Sequence, residues 1–191
     1  GTNALYAMDR DGNNYNVAVG FEAGKNVTTG LYNTIIGGLA GDAIIAGNYN
    51  VALGYQALST EDNGSSNTAI GAFSLMTQDA GVDAFNTAVG YAAGYLTTTG
   101  VRNTLIGGNS GDALTTGSDN VAIGYGALTT EDAHGRNIAI GMNALATQNA
   151  GADAYNVAIG YTAGALVTTG THNTLIGGLA GDALTDGDAN T

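Results

Sequence analysis

The chain has 191 residues with 32 Gly, no Pro, Cys or Trp, 44% apolar residues and only 10% charged ones. Its Val, Ile and Leu content is too high for a disordered polymer, and the lack of cysteine excludes disulfides, zinc thiolates and cysteine nucleophiles. A formal charge of -12 sets it against nucleic acid and anionic membrane surfaces, and no apolar run is long enough for a membrane helix.

In chain order, residues 1–15 match the closing part of a coil, since Gly1-Thr2-Asn3-Ala4-Leu5 parallels Gly141-Met142-Asn143-Ala144-Leu145. From Asn16 onward a block of Asn, three mostly apolar residues and Gly recurs. It runs from Asn16 to Gly20, Asn33 to Gly37, Asn50 to Gly54, Asn67 to Gly71, Asn86 to Gly90, Asn103 to Gly107, Asn120 to Gly124, Asn137 to Gly141, Asn156 to Gly160 and Asn173 to Gly177. An eleventh block opens at Asn190. The spacings are 17, 17, 17 and 19, and that order repeats, giving a 70-residue superrepeat of four coils over 16–85, 86–155 and, in part, 156–191. Such a period means a repeat architecture. The expected fold is all-β: one parallel β-solenoid, or β-roll, of about eleven coils over residues 1–191, an uncapped excerpt of a longer array.

Counting the Asn as position 0, position +1 is Val, Thr or Ile and position +3 is a large aliphatic residue, two β-branched or bulky residues on one strand face. Position +2, on the other face, is Ala, Ile or Leu, so both faces are expected to be buried. Position +4 is Gly, suiting a corner with positive φ or close backbone approach, and position +7 is Ala or Ser, a tight packing site. Seventeen residues enclose little more than two short strands around one layer of side chains. The expectation is a core of ladders at +1, +3 and +7, with the second strand face covered by another chain.

Blocks such as Asp119-Asn-Val-Ala-Ile-Gly-Tyr-Gly-Ala127 and Tyr155-Asn-Val-Ala-Ile-Gly-Tyr-Thr-Ala163 resemble the head repeats of YadA-like trimeric autotransporter adhesins. They are also similar to the Asn-Thr-Ala-Ile-Gly repeats of phage tail fibres. The resemblance covers essentially the whole chain and implies a homotrimer of left-handed parallel β-rolls, each burying its second strand face on a threefold axis. Coils of 17 and 19 residues are longer than those of the adhesin heads, and the four-coil superrepeat is not part of that pattern.

Aromatic residues at +5 in alternate coils, Phe21, Tyr55, Tyr91, Tyr125 and Tyr161, form a candidate glycan-binding stripe, against the plainer reading of corner packing. Asp42, Asp112 and Asp182 occupy Gly-rich segments distantly like calcium-binding rolls, and calcium would be the ion there; otherwise no cofactor is expected. Asp9, Asp11 and Asn13 have an oxygen-ligand spacing without the Gly of a calcium loop, and the Thr60-Glu61-Asp62 and Thr130-Glu131-Asp132 repeats read as polar loops. His134 and His172 belong to no catalytic motif, so the chain is expected not to be an enzyme.

The function expected is a structural shaft or adhesive segment of an extracellular fibre, on a virion or a bacterial surface, with cell-surface glycan or receptor as further partner. The alternatives are a free-standing glycan-binding or ice-binding solenoid and a self-assembling filament. Ice binding is weakened because the Thr pairs at 28–29, 98–99, 115–116 and 168–169 are not matched in every coil.

Overall fold

Each Asn-headed block becomes one three-residue strand. The computed structural model describes residues 1–8 and 13–191. Its strands are β1 (Val17–Val19), β2 (Thr34–Ile36), β3 (Val51–Leu53), β4 (Thr68–Ile70), β5 (Thr87–Val89), β6 (Thr104–Ile106), β7 (Val121–Ile123), β8 (Ile138–Ile140), β9 (Val157–Ile159) and β10 (Thr174–Ile176). They stack in chain order as one parallel sheet, with position +1 always opposite position +1. The protein is therefore a parallel β-solenoid.

Strands stop at three residues because position +4 cannot stay extended. The ten glycines there, from Gly20 to Gly177, have φ between 129° and 144°. A Cβ on Gly37 would lie 2.3 Å from the carbonyl oxygen of Gly54, so the coils approach too closely for any side chain. The chain then turns through left-handed residues at +6 and +8, such as Leu39 (φ 56°) and Gly41 (φ 49°). Their N–H groups bond between coils: Leu39 donates to the Phe21 carbonyl at 2.8 Å and Gly41 to that of Ala57 at 2.9 Å. Stacked turns thus build the wall opposite the sheet, where a second short strand was expected.

The ladder Asn satisfies the remaining backbone groups. Asn33 Oδ1 accepts the Asn50 N–H at 2.9 Å, and its Nδ2 donates to the Gly47 carbonyl at 2.8 Å. Asn fits because one buried amide supplies both the acceptor that the next coil needs and the donor that its own coil needs.

The core corrects one expectation. Position +7 points inward as expected, but its partner is position +2, where Ile35, Ala52, Ala88, Leu105 and Ala158 are buried. Positions +1 and +3 face outward and stay partly exposed. With a single sheet per chain the interior is thin, and it takes the smaller column. Positions +8 and +11 complete the core and explain the superrepeat. Where +8 is Gly, a large +2 residue of the same or next coil occupies the space: a Cβ on Gly94 or Gly111 would sit 2.7 Å from a Leu105 methyl. Where +2 is Ala in both coils of a pair, as at Ala52, Ala69, Ala122 and Ala139, the volume is filled by Leu58, Leu75, Leu128 and Leu145 at +8. These leucines hold left-handed backbone, φ 45° to 53°, a strain of order 1–2 kcal/mol each that full burial offsets. The 70-residue period is thus a period of packing.

Candidate functional site

Three features of the surface carry chemistry: an apolar face on the sheet, aromatic columns beside it, and two acidic loops.

The apolar face follows from strand geometry, since +1 and +3 share one side of the sheet. It runs through all ten strands, from Val17 and Val19 to Thr174 and Ile176, and large residues such as Leu53, Ile106 and Ile138 lie exposed on it. Among the described residues, the +1 and +3 side chains all stay partly or largely exposed.

The aromatic residues at +5 flank this face and are exposed, Phe21, Tyr55, Tyr91, Tyr125 and Tyr161 alike. The rings of Tyr55 and Tyr125 lie over the glycines of the preceding coil, a Cβ on Gly38 falling 3.6 Å from the Tyr55 ring and one on Gly108 3.4 Å from the Tyr125 ring, whereas Tyr91 follows Ala72 and Tyr161 follows Met142. Only Tyr55 and Tyr91 are drawn into a cluster, bridged edge-on by Phe73 at 5.5 and 5.8 Å, with Tyr95 at 6.4 Å from Phe73. Among the described residues, Phe21, Tyr125 and Tyr161 make no ring contact. The cluster opens on a recess of about 360 Å³ lined by Phe73, Tyr91, Ala92, Tyr95, Asn109 and Asp112.

A second column was not anticipated. At position -1, directly before the ladder Asn, Tyr15, Tyr32 and Tyr49 stack nearly parallel at 5.2 and 5.0 Å. Further along, Arg102 holds Asp119 through two hydrogen bonds of 2.6 and 2.9 Å. Arg136 pairs with Asp153 and donates to the Tyr155 hydroxyl at 2.8 Å, and Tyr155 stacks on His172 at 5.2 Å. The signal was present as a tyrosine every 17 residues at the start of the chain.

The three Gly-rich-segment acids stand four coils apart and share no site. Asp42 has a buried Oδ1 without a hydrogen-bond partner, and burial, helped by Glu22, pushes its carboxyl up against the opposing pull of its backbone contact and Lys25. Asp112 accepts from the Thr129 hydroxyl beside the aromatic recess, and Asp182 is exposed. Asp9 and Asp11 lie outside the described residues, while Asn13 donates to the Tyr15 hydroxyl at 3.1 Å. The acids that do cluster are Glu61 with Asp62 and Asp79, and Glu131 with Asp132 and His134. Burial raises the carboxyls of Glu61 and Glu131 above the ordinary range, and backbone N–H groups of Gly64 and His134 respectively hold them down in part. Burial and Asp62 raise Asp79. His172, whose Nδ1 lies 3.1 Å from the Thr171 hydroxyl, belongs to the coil 156–172 and His134 to the coil 120–136. The threonines at 28, 98, 115 and 168 spend their hydroxyls on carbonyls of the next coil.

No protein-family model, curated protein or solved structure matches this chain.

Proposed function

We propose that the protein is a structural shaft or adhesive segment of an extracellular fibre, of a phage tail or a bacterial surface, in which three copies associate through the outer strand face and support attachment to a host or surface. The observation that carries this reading is the outer face of the sheet, with Val, Leu or Ile at +3 in all ten strands and Val, Ile or Thr beside it at +1. Its rows are spaced by the interstrand distance of about 4.8 Å. A partner that covers every row in the same way needs the same axial repeat, and another copy of this chain has it. Burying that face removes apolar area from water along the whole rod, and continuous backbone, Asn and Gly ladders keep the rod stiff. The role is mechanical and needs neither catalysis nor a cofactor, and the -12 charge keeps the fibre clear of nucleic acid and anionic membrane.

Light scattering after size exclusion tests this reading. The expected mass is three times the 18.9 kDa chain, and a double Ile106→Lys, Ile123→Lys variant is expected to fall to a folded monomer. A wild-type monomer would overturn it. A second reading rests on the recess at Phe73, Tyr91 and Tyr95, where ring faces beside Asn109 and Asp112 offer the apolar surface and polar acceptors that a sugar ring needs. Oligosaccharide binding that Tyr91→Ala abolishes would support it; no binding to a broad glycan set would remove it.

A further inference from the structure

Position +11 is a core column. Val27, Ile44, Leu114 and Val167 fill it with buried apolar side chains, yet in the third coil of each superrepeat it is Glu61 or Glu131, both fully buried. A buried carboxylate is costly unless its oxygens are engaged. In the first loop they are: Oε1 of Glu61 accepts the Gly64 N–H at 2.6 Å and Oε2 the Ala80 N–H at 3.4 Å. The second loop differs. Oε1 of Glu131 accepts the His134 N–H at 3.2 Å, but Oε2 is buried with no hydrogen-bond partner, and so is Nδ1 of His134. Here His134 stands where the first loop has Gly64.

We propose that Glu131, Asp132 and His134 form a binding site for a divalent cation of the borderline class, zinc above all, with cobalt or nickel as substitutes. Nδ1 of His134 lies 3.5 Å from Oε1 of Glu131, and ligand atoms of all three residues fall within 4.8 Å of one another. A tetrahedral metal about 2.1 Å from each ligand would set neighbouring ligands roughly 3.4 Å apart. The cation would engage the two buried atoms that have no hydrogen-bond partner, Oε2 of Glu131 and Nδ1 of His134, one anionic oxygen and one imidazole nitrogen. Two carboxylates and an imidazole favour zinc over calcium or magnesium, which take oxygen ligands almost exclusively. Three protein ligands leave a position for water, so the exposed Asp132 side is the route of entry.

The two loops supply their own control, because His134→Gly removes the imidazole and places at 134 the residue that the first loop carries at Gly64, while Asn149 stands where that loop has Asp79. The whole chain, titrated with zinc chloride, is expected to bind one ion and unfold at a higher temperature, and cobalt chloride is expected to give the visible absorption of a tetrahedral site. His134→Gly is expected to weaken zinc binding by at least about tenfold, Glu131→Gln to weaken it likewise, and His172→Gln to leave it unchanged. Zinc binding that survives His134→Gly, equal stabilisation by calcium, or no binding at millimolar zinc would each overturn the proposal.

Discussion

In a seventeen-residue coil such as 103–119, the ladder amide is engaged at both ends: Asn103 Oδ1 accepts the Asn120 N–H at 3.0 Å and Nδ2 donates to the Gly117 carbonyl at 2.8 Å. In the nineteen-residue coil 137–155, Asn137 Oδ1 still accepts the Asn156 N–H, at 3.2 Å, but its Nδ2 is buried without a partner. Asn67, heading the other nineteen-residue coil, is left in the same state. The insertion is absorbed by an outward bulge at Gly81 and Gly151, whose positions have open space around them. Next to each bulge the core turns polar, with Gln78 and Gln148 accepting from the following ladder Asn at 2.7 Å. Strict coils carry stiffness, and the buried Gln and Glu side chains gather at and beside the breaks in period, Gln78 and Gln148 within the nineteen-residue coils and Glu61 and Glu131 in the coils that precede them.

The largest difference between the two kinds of coil is expected at glycine. At Gly107, φ is 133° and a Cβ would meet the Gly124 carbonyl at 2.6 Å. Gly107→Ala forces two coils apart and is expected to cost more than about 4 kcal/mol, the range of the most severe single substitutions. Gly81→Ala meets no atom within 4 Å and only strains a φ of 63°, for roughly 1 kcal/mol. Urea denaturation of both variants checks this, and equal losses would mean that coil contact is not what fixes the ladder glycine.

The asparagines give the next effect. Asn103→Ala leaves a buried N–H and a buried carbonyl unpaired, each worth about 1–3 kcal/mol, while Asn137→Ala orphans one group and removes an already unsatisfied donor. The expected order is a loss of roughly 3–5 kcal/mol for the first and about half of that for the second, read from the same denaturation curves.

These contrasts show what could be seen without coordinates. Identical neighbours above and below make every backbone requirement recur as the same residue, so the strand, the corner Gly and the small +7 site were legible from the spacing alone. The inward face of the strand was not, because Ala or Leu at +2 and Val or Ile at +3 are all apolar. Size decided it: a one-sheet interior admits Ala18 or Ala52 beside Ala23 or Ala57, and the bulkier column goes outside. The candidate sites were less legible still. Tyr55 and Tyr91 join a cluster only because Phe73 falls between their coils, and Glu61 and Glu131 looked like loop acids because position +11 had not been recognised as core.

A pH measurement probes the buried carboxylate in the coil that precedes the bulge. Because burial raises the folded-state pKa of Glu61 above its ordinary 4.5, the folded chain keeps this proton to higher pH than the unfolded chain does. The associated stability is fully present below 4.5 and is lost as pH climbs through the folded value. Glu61→Gln keeps an acceptor for the Gly64 N–H and carries no charge, but gives up the acceptor for the Ala80 N–H, so its unfolding temperature relative to the wild type's is expected to be higher at pH 7 than near pH 4. A variant that loses ground to the wild type as pH rises would show that the ionised carboxylate, with its two N–H contacts, is the favoured buried form.

The smallest effect belongs to the surface column. Arg102 and Asp119 are bidentate, but both are solvent-exposed in large part, where Coulomb attraction is diluted by water and held against side-chain entropy. Arg102→Ala is expected to leave stability unchanged at physiological salt and to lower it slightly at low salt, where screening weakens. Arg102 depresses the Asp119 carboxyl below its ordinary value, so even this difference is present above that value and disappears as acid protonates Asp119. Arg136→Ala is the sharper probe, since Arg136 also lies 5.5 Å from the Tyr155 ring centroid and ties a strict coil to the bulged one through Asp153. If Arg136→Ala proves as silent as Arg102→Ala in thermal unfolding at low salt, the outer column contributes nothing to holding the bulge, and the stability of the nineteen-residue coils resides entirely in their buried ladder.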